Sequence, residues 1–411
     1  MTNIQISSKK NKSLPRKYVR VVVTKDAADW HRLIERSDGT LEYHIGAGKW
    51  SEIKPRTFAT FIRKIVQGVK QHKIEHFAVS FSKTSFPIPS HYSSEWAASV
   101  LVENMYLAAY EFNKYKTTSN KQDLKTICIC CDDLKTLANA FKRGEIVGTY
   151  TNLARDIANT TAEDMTPTAL GNAAKQAAKN TKVKVKVAGE KELTKLKMGA
   201  LLAVGQGTKS ETKLITLAYY GAKDSKQKPI VFIGKGITYD TGGLNAKPSG
   251  SMHDMHMDMS GGSSVIAAVI AAAKLGIAKN IVGIVPAAEN AISDSSMRAG
   301  DIIKSMSGKT IEVVHTDAEG RMVLADAITY AKRFNPLVIL DVATLTGASL
   351  VALGQHASAL MTKDLRLEKV LRDLGEESGE YVWPLPLWDE YKEYIKSSRA
   401  DIANIAPNFS R

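Results

Sequence analysis

From about residue 170 onward, short apolar runs alternate with helix-like segments, and this alternation constrains the fold more than any other feature. The runs are VKVKV (183–187), KLITLAYY (213–220), PIVFIG (229–234), NIVGIV (280–285), TIEVV (310–314) and LVILDV (337–342). Strands that are apolar on both faces are typical of a sheet covered by helices on both sides. We therefore predict an α/β fold in which residues 170–411 form the larger domain, with a central mixed, mostly parallel sheet flanked by helices.

The preceding part of the chain shows the same alternation on a smaller scale. The predicted elements are strands at 18–24, 76–81 and 125–130 and helices at 59–71 and 95–111. They indicate a small N-terminal α/β domain over residues 18–135. A polar helix follows from about Asp133 to Asn159, and Thr166 before Pro167 is a typical helix start. We assign residues 136–169 to a linker helix between the two domains.

The first 17 residues contain no acidic residue and several Lys, Arg and Ser residues. We predict a basic flexible tail, and organelle targeting by this basic segment is the alternative. No apolar run approaches the roughly 18 residues that a membrane span needs, so we expect no membrane partner and a cytoplasmic location. Cys128, Cys130 and Cys131 lack a second ligand pair for a metal finger and are predicted to be reduced core residues.

The net charge bears on the choice of partner. Lys and Arg exceed Asp and Glu by 14 (56 against 42), which raises the chance of an acidic partner such as nucleic acid. The lysines are scattered, however, and their densest clusters lack the interleaved aromatic residues of a base-stacking surface. We interpret them as solvated surface residues and rank nucleic acid last among the partners.

Charged residues gather where three of the predicted strands end. The glycine-rich stretch GKGITYDTGGLNAKPSGSMHDMHMDMSGG (234–262) follows the strand at 229–234, HTDAEGR (315–321) follows 310–314, and DVATLTGA (341–348) follows 337–342. Ligand sites in open α/β sheets lie at the carboxyl ends of strands. The groups that we single out in these loops are the carboxylates Asp240, Asp258, Asp317 and Glu319 and the cations Lys235, Lys247 and Arg321.

Four carboxylates that lie close together need cations to remain ionised. Two divalent ions held by bridging carboxylates would meet this need. A nucleotide-binding glycine loop is a weaker interpretation, because GKGITYDTGG lacks the G-x-x-x-x-G-K-[ST] order. Separate surface ion pairs are also disfavoured, because all seven groups fall within two short motifs.

These motifs resemble those of the leucyl aminopeptidase family, the M17 cytosolic metallo-aminopeptidases. The similarity runs over roughly residues 150–405 and includes NLARDIANT (152–160), MGALLAVGQG (198–207) and LDVATLTGA (340–348). The first 140 residues match the family's variable N-terminal domain only by type. The resemblance implies that residues 170–411 are the catalytic domain and that the enzyme removes N-terminal, leucine-like or neutral residues from peptides.

The resemblance also implies a role for each residue of the motifs. Five residues occupy the family's metal-ligand positions: Lys235, Asp240, Asp258, Asp317 and Glu319. Asp240 and Glu319 match the residues that bridge both ions, Lys235 and Asp258 belong to one site, and Asp317 completes the other. Lys247 and Arg321 stand at the two catalytic positions. The positions around the substrate's first residue are Met255, Thr344, Leu345 and Gly347.

The implied cofactors are two divalent ions per subunit, Zn²⁺ or Mn²⁺, with Mg²⁺ or Co²⁺ as alternatives. The nucleophile would be a bridging water activated by both ions. A lysine binds a metal only as the neutral amine, so adjacent dications would have to lower the pKa of Lys235. Lys247 would remain a cation that stabilises developing charge, and Arg321 would hold a bicarbonate ion that shuttles the proton. The implied assembly is a homohexamer.

Two departures from the family pattern are visible. His315 stands where an asparagine is usual, and we expect a modest effect. The family normally continues beyond SSRADIANIAPNFSR (397–411), so we expect the catalytic domain to be incomplete at its C-terminus. The alternative function is therefore a weakly active or inactive family member that acts as a structural or nucleic-acid-binding protein.

Overall fold

The computed structural model describes residues 3–7, 14–26, 30–118, 124–224 and 226–406. Its strands are β1 Asn3–Ser7, β2 Val19–Thr24, β3 His31–Glu35, β4 Leu41–Gly46, β5 His76–Ser80, β6 Thr126–Cys130, β7 Lys184–Ala188, β8 Lys213–Tyr220, β9 Ile230–Gly234, β10 Gly236–Asp240, β11 Asn280–Asn290, β12 Ile302–Lys304, β13 Thr310–Glu312, β14 Val338–Val342, β15 Ser358–Leu360, β16 Val382–Pro384 and β17 Ile402–Ala403. Its α-helices are α1 Pro55–Gln71, α2 Ser94–Ala109, α3 Leu134–Asn159, α4 Pro167–Ala177, α5 Glu190–Lys195, α6 Gly199–Gly205, α7 Ser260–Lys274, α8 Gly320–Ala331, α9 Gly347–Leu353 and α10 Leu365–Ser378.

The chain divides into two compact units. The first unit contains residues 1–152 and 353–385, and the second contains residues 153–352 and 386–411. The division falls inside α3, between the predicted domain limits at residues 135 and 169. Residues 353–385 group with the first unit by their contacts, and the predicted domain limits stay a prediction.

The first unit is built on a sheet with the order β1-β6-β5-β2-β4-β3. All neighbours in it are parallel except β3, which runs antiparallel to β4. Helix α1 buries Phe58, Phe61, Ile62 and Ile65 on one face, and this spacing of three and four residues is typical of an amphipathic helix. The same unit contains the parallel pair of β15 and β16.

Three strands of the six-stranded sheet of the first unit depart from the sequence prediction. Asn3–Ser7, within the segment expected to be a flexible tail, instead forms the strand β1 and pairs in parallel with β6. The alternation of NIQIS fits an edge strand, because every second residue can face the sheet's covered side. Strands β3 and β4 were not predicted, since their mixture of charged and apolar residues gives no continuous apolar run.

The three cysteines lie on or directly after β6, and all of them are buried and free. The prediction of reduced core cysteines is confirmed. Cys131 packs in the main apolar core of the first unit, whereas Cys128 and Cys130 pack with Tyr18 and Ala78.

The second unit has a central sheet with the order β14-β9-β11-β8-β7, and β10 also pairs with β11. Strands β14, β9, β10 and β11 are mutually parallel, whereas β8 and β7 are antiparallel to their neighbours. The sheet is therefore mixed and mostly parallel, as predicted.

Helices cover both faces of this sheet. Val282 and Ile284 of β11 belong to the apolar core that contains residues of α6 and α8. Gly283, between them, faces Val265 and Val269 of α7. Because side chains alternate across a strand, α7 lies on the face opposite α6 and α8.

Strand β11 is longer than predicted, because it continues through Pro286 to Asn290. Its residues 281–284 pair with β9, and its residues 287–290 pair with β10. Pro286 lies where β11 changes its parallel partner. A proline in a central strand normally argues against that strand, because it lacks the N–H donor. The change of partner explains why the strand tolerates it here.

The predicted strand at 310–314 is shorter and belongs to another sheet. Thr310–Glu312 forms β13 in a three-stranded sheet with the order β12-β13-β17. The loop from residue 313 to 319 therefore does not start from the central sheet, although it leads into α8. None of the helices in the described ranges is long and apolar enough to cross a membrane.

Candidate metal centre

Lys235 lies in the interruption between β9 and β10, which pair one after the other with β11. Its backbone N–H donates to Val342 O at 3.0 Å, and its carbonyl accepts from Gly262 N at 2.7 Å. Gly320 packs directly against its side chain, since a Cβ at Gly320 would lie 2.7 Å from Lys235 Cε and 2.8 Å from Nζ. The glycines of this region thus allow the close approach that holds Lys235 in place.

The ammonium group of Lys235 joins residues from three segments. Its Nζ lies 2.8 Å from Asp258 Oδ2 and 2.8 Å from Glu319 Oε1, and it donates to Thr344 O at 3.1 Å. Thr344 Oγ1 donates to Asp258 Oδ1 at 2.7 Å. Asp258 precedes α7, Glu319 precedes α8 and Thr344 follows β14, so elements on both faces of the sheet supply this group.

Lys247 forms a second group in the same way. Its Nζ lies 2.9 Å from Asp240 Oδ2 and 2.5 Å from Asp317 Oδ1. The chain between Asp240 and Lys247 turns through Gly242 and Gly243, whose φ angles of +87° and +67° favour glycine.

The two groups are contiguous. Asp240, Asp317 and Glu319 each offer an oxygen, and these oxygens lie within 4.8 Å of one another. We call Asp240, Asp258, Asp317 and Glu319 the carboxylate centre. The structure thus brings together the five predicted ligands and Lys247, although the three loops come from two different sheets.

Burial dominates the electrostatics of the carboxylate centre. Burial raises the pKa of Asp258 to about 6 and that of Glu319 to about 7, although Lys235 opposes both shifts. Burial alone would lower the pKa of Lys235, but Glu319 and Asp258 outweigh it and raise this pKa. Asp317 and Asp240 likewise raise the pKa of Lys247 against the effect of burial. Four carboxylates therefore share two ammonium groups.

The donor set fits divalent cations. Three buried oxygens, Asp258 Oδ2, Asp317 Oδ1 and Glu319 Oε1, each form an ion pair with a lysine and accept no further hydrogen bond from the described residues. Buried carboxylate oxygens normally have hydrogen-bond donors, so these three have capacity for another ligand. Oxygen donors suit Mg²⁺ and Mn²⁺, and carboxylates together with a neutral amine also suit Zn²⁺.

Arg321 lies in the first turn of α8, two residues after Glu319. Its buried Nε has no hydrogen-bond partner in the part of the chain that the structure describes. Burial lowers the pKa of this guanidinium, and Glu319 opposes the shift. A buried donor without a partner is costly, so Arg321 is suited to an anionic ligand.

Fewer contacts connect the predicted substrate-binding residues to the carboxylate centre than connect the predicted metal ligands to one another. Leu345 Cδ1 lies 3.0 Å from the position that a Cβ on Gly320 would take, next to Lys235. Gly347 begins α9 and has open space where a side chain would stand. Met255 lies in a single 3₁₀ turn, Met255–Met257, and Asp258 N donates to its carbonyl at 3.3 Å.

Several positioning residues were missed by the sequence analysis. Thr316 Oγ1 donates to Gly242 O at 2.6 Å and accepts from Asn245 N at 2.8 Å. It therefore links the loop that carries Asp317 to the turn between Asp240 and Lys247. Asn404 accepts from Val314 N at 2.8 Å and donates to His315 O at 2.7 Å. No spacing signal marks either residue, because the contacts join segments about 70 and 90 residues apart.

Asn290 was missed for a different reason. Its Nδ2 donates to Asp240 Oδ1 at 2.8 Å, and it is the last residue of β11. Because ligand sites lie at strand ends, the position of Asn290 would have marked it as a candidate. The predicted strand, however, stops at residue 285, directly before Pro286.

Comparisons with known proteins assign this geometry to a family. Residues 152–411 match the profile described as "Cytosol aminopeptidase family, catalytic domain", and residues 43–119 match "Cytosol aminopeptidase family, N-terminal domain". A "Probable cytosol aminopeptidase" of Paraburkholderia phymatum is 40% identical over 365 residues, which cover 88% of this chain and 72% of that protein. One of Nitrosococcus oceani is 42% identical over 317 residues, covering 76% and 63%.

A solved structure has the same fold. The "Bottromycin maturation enzyme BotP in complex with Mn" superposes with a TM-score of 0.84 at 27% identity and covers 99% of this chain and 86% of that one.

Proposed function

Because the chain belongs to the cytosol aminopeptidase family, and is therefore a peptide hydrolase by class, we propose that its carboxylate centre binds two divalent cations and cleaves the N-terminal residue from peptides. The observation that carries this proposal is the convergence of three buried carboxylate oxygens that are paired with lysine ammonium groups and have capacity for a further ligand. Mn²⁺ is the first candidate, since a structural neighbour is described as a complex with Mn; Zn²⁺, Mg²⁺ and Co²⁺ are the alternatives.

The bound ions would supply a water of lowered pKa and a Lewis acid for the peptide carbonyl. Asp240, Asp258, Asp317, Glu319 and Lys235 would hold them. Lys235 differs from the others because it must lose its proton to become a ligand, whereas its ion pairs in the structure stabilise the ammonium form.

Lys247 has the opposite task. Its raised pKa keeps it protonated at neutral pH, so it can donate a hydrogen bond to the carbonyl oxygen as negative charge develops there. Because it already stands between Asp240 and Asp317, its position relative to the scissile carbonyl would be fixed before the substrate binds.

Arg321 would hold an anion beside the reacting carbonyl. Bicarbonate is the proposed occupant, since a planar oxyanion can accept two parallel hydrogen bonds from a guanidinium and can then carry a proton. The unpartnered Nε of Arg321 supports this role.

The preferred N-terminal residue is proposed to be leucine-like or neutral. Leu345 is 41% exposed beside Lys235, so it offers an apolar surface to the substrate's first side chain. Met255 would extend this surface, while Thr344 and Gly347 would contact the substrate backbone.

The direct test uses the purified full-length protein with a leucyl amide and Mn²⁺ or Zn²⁺. We expect release of leucine, and Asp317→Ala should lower kcat/KM by roughly 10³-fold or more, because several kcal/mol of charge stabilisation are lost. Asp224→Ala, at an exposed aspartate of the same unit, is the control and should change little. Intact metal binding without turnover in the parent protein would instead support the inactive structural or nucleic-acid-binding alternative, which the comparisons do not favour.

The homohexameric state is a prediction from the family resemblance, and the cytoplasmic location is a prediction from the sequence. Analytical ultracentrifugation of the purified protein would test the first, and imaging of a C-terminally tagged chain in its host would test the second.

A further inference from the structure

Asn290 stands beside Asp240 because of an irregularity in the sheet. Strands β10 and β11 pair in parallel with a shift between Ile237 and Tyr239, and after this shift Asp240 lies directly opposite Asn290. Without the extra residue, Asp240 would face Ala291. Bulges often re-aim a side chain next to an active site, and this one aligns an amide with a carboxylate of the centre.

The amide of Asn290 has one orientation that satisfies its neighbours. Its Nδ2 lies 2.8 Å from Asp240 Oδ1 and 3.2 Å from Thr316 O, and both of these atoms are acceptors. The group that faces them must therefore be the NH₂ donor. Asn290 is only 1% exposed, so water does not compete for these bonds.

The hydrogen bond from Asn290 decides which oxygen of Asp240 can accept another ligand. Its Oδ1 accepts from Asn290 Nδ2 at 2.8 Å and from Gly242 N at 2.9 Å, which uses both lone pairs of that oxygen. Its Oδ2 faces Lys247 at 2.9 Å. Only Oδ2 is therefore directed toward the rest of the carboxylate centre.

We propose that Asn290 is a positioning residue that holds Oδ1 of Asp240 out of the metal centre and leaves Oδ2 as the single oxygen that Asp240 offers to divalent cations. The inference rests on the proposed function, because it concerns how the centre binds its ions. It predicts that loss of the Asn290 amide weakens metal binding although Asn290 itself touches no ion. Partners of metal-binding groups commonly contribute 10-fold to 100-fold in metal affinity.

The same strand supplies a matched control. Asn280 is the first residue of β11, is 3% exposed and also makes two hydrogen bonds with its amide, donating to Gln227 O at 2.7 Å and accepting from Ala222 N at 3.3 Å. Asn280→Ala therefore removes a buried amide of equal size from the other end of the strand. Any effect of general destabilisation should appear in both variants.

The experiment measures Mn²⁺ affinity of the full-length chain by electron paramagnetic resonance, with melting temperature recorded in parallel. We expect Asn290→Ala to weaken Mn²⁺ binding by about 10-fold to 100-fold and Asn280→Ala to change it less than about twofold. Saturating Mn²⁺ should then restore most of the kcat of Asn290→Ala, since the reacting groups are unchanged. Equal weakening in both variants, or none in Asn290→Ala, overturns the inference.

Asn290→Leu keeps approximately the size of the side chain and replaces the amide with methyl groups that donate no hydrogen bond, so it provides the test if Asn290→Ala does not fold. Without the amide donor on Asp240 Oδ1, Mn²⁺ binding should weaken by about as much as in the alanine variant. Parent-like affinity in Asn290→Leu would contradict the inference. Absence of Mn²⁺ binding in the parent protein would instead contradict the proposed function.

Discussion

The two units both cover a largely parallel sheet with helices, yet they bury different side chains. In the described part of the first unit, the buried polar residues are Thr40, Ser99, Asn104 and Thr126, and none of them is charged. The second unit buries Lys235, Asp240, Asp258, Glu319 and Asp326. Burying a charge costs free energy unless it is paired or bound to a metal. The second unit therefore has a desolvation cost from fully buried charges that the described part of the first unit does not have.

The pKa values of one glutamate in each unit allow a direct comparison. Loss of hydration raises the pKa of the half-buried Glu103 in α2 and that of the buried Glu319 before α8 to about 7. Glu380 also raises the pKa of Glu103, and Arg63 and Arg143 oppose the shift. Asp240 and Asp258 raise the pKa of Glu319, and Lys235 opposes that shift. A similar shift therefore arises in two different settings, and a perturbed pKa alone does not identify a reactive group.

The largest expected effect is the difference between these two glutamates in catalysis. Glu319→Gln should lower kcat/KM by roughly 10³-fold or more, because an anionic oxygen is lost from the proposed metal centre. Glu103→Gln should leave kcat/KM within about twofold. Steady-state hydrolysis of a leucyl amide measures both, with circular dichroism as the check of folding. Comparable losses in the two variants would remove the functional distinction between the units.

A smaller effect is expected at Lys247. Lys247→Met keeps the length of the side chain and removes the positive charge, so kcat should fall by about 10²-fold to 10³-fold, as for the loss of one donor to a developing oxyanion. The KM should change much less. Measurement of bound Mn²⁺ by elemental analysis separates this outcome from loss of metal: a variant that is inactive because it is metal-free would argue that Lys247 maintains the centre instead of acting on the substrate.

The smallest effect concerns stability of the first unit as a function of pH. The pKa of Glu103 is higher in the folded protein, at about 7, than its ordinary value of 4.5, so the folded state binds more protons between these values. Its contribution to stability is present at low pH and is lost as the pH rises through about 7.

Urea unfolding at pH 5 and pH 8 tests this directly. Because Glu103→Gln removes the titrating group, the parent protein should lose about 1–3 kcal/mol more unfolding free energy than the variant over that interval. Asp258 and Glu319 titrate in the same direction but are present in both proteins, so their contribution cancels. Identical pH dependences would show that water reaches Glu103 freely.

The sequence predicted the central sheet and the charged residues at its strand ends because both depend on local patterns. Lys235 and the loop after β14 follow apolar runs that end sharply, so the strand-end rule applied to them. Asn290 was not predicted because a proline normally marks the end of a strand, and the sequence does not show that β11 continues past Pro286 by pairing with β10 after β9. Asn404 was not predicted because its contact with residues 314 and 315 depends on how the chain of the second unit folds between them, and no local pattern shows this.

The first unit was less predictable for a related reason. Strand β3 has no buried residue, and β4 buries only Tyr43, Ile45 and Gly46, so their apolar signal is weak. Tertiary context decides such strands, whereas the first half of β11 is a continuous apolar run that the sequence predicts.

The interruption between β9 and β10 at Lys235 has a practical consequence for protein engineering. Its amine is located by main-chain hydrogen bonds of Lys235 to residues 262 and 342 and by the close packing of the lysine side chain against Gly320, where no larger residue would fit. Transplanting the acidic side chains and the two lysines onto another scaffold would leave this amine unsupported. A successful graft would also have to include the interruption between β9 and β10 that places this lysine.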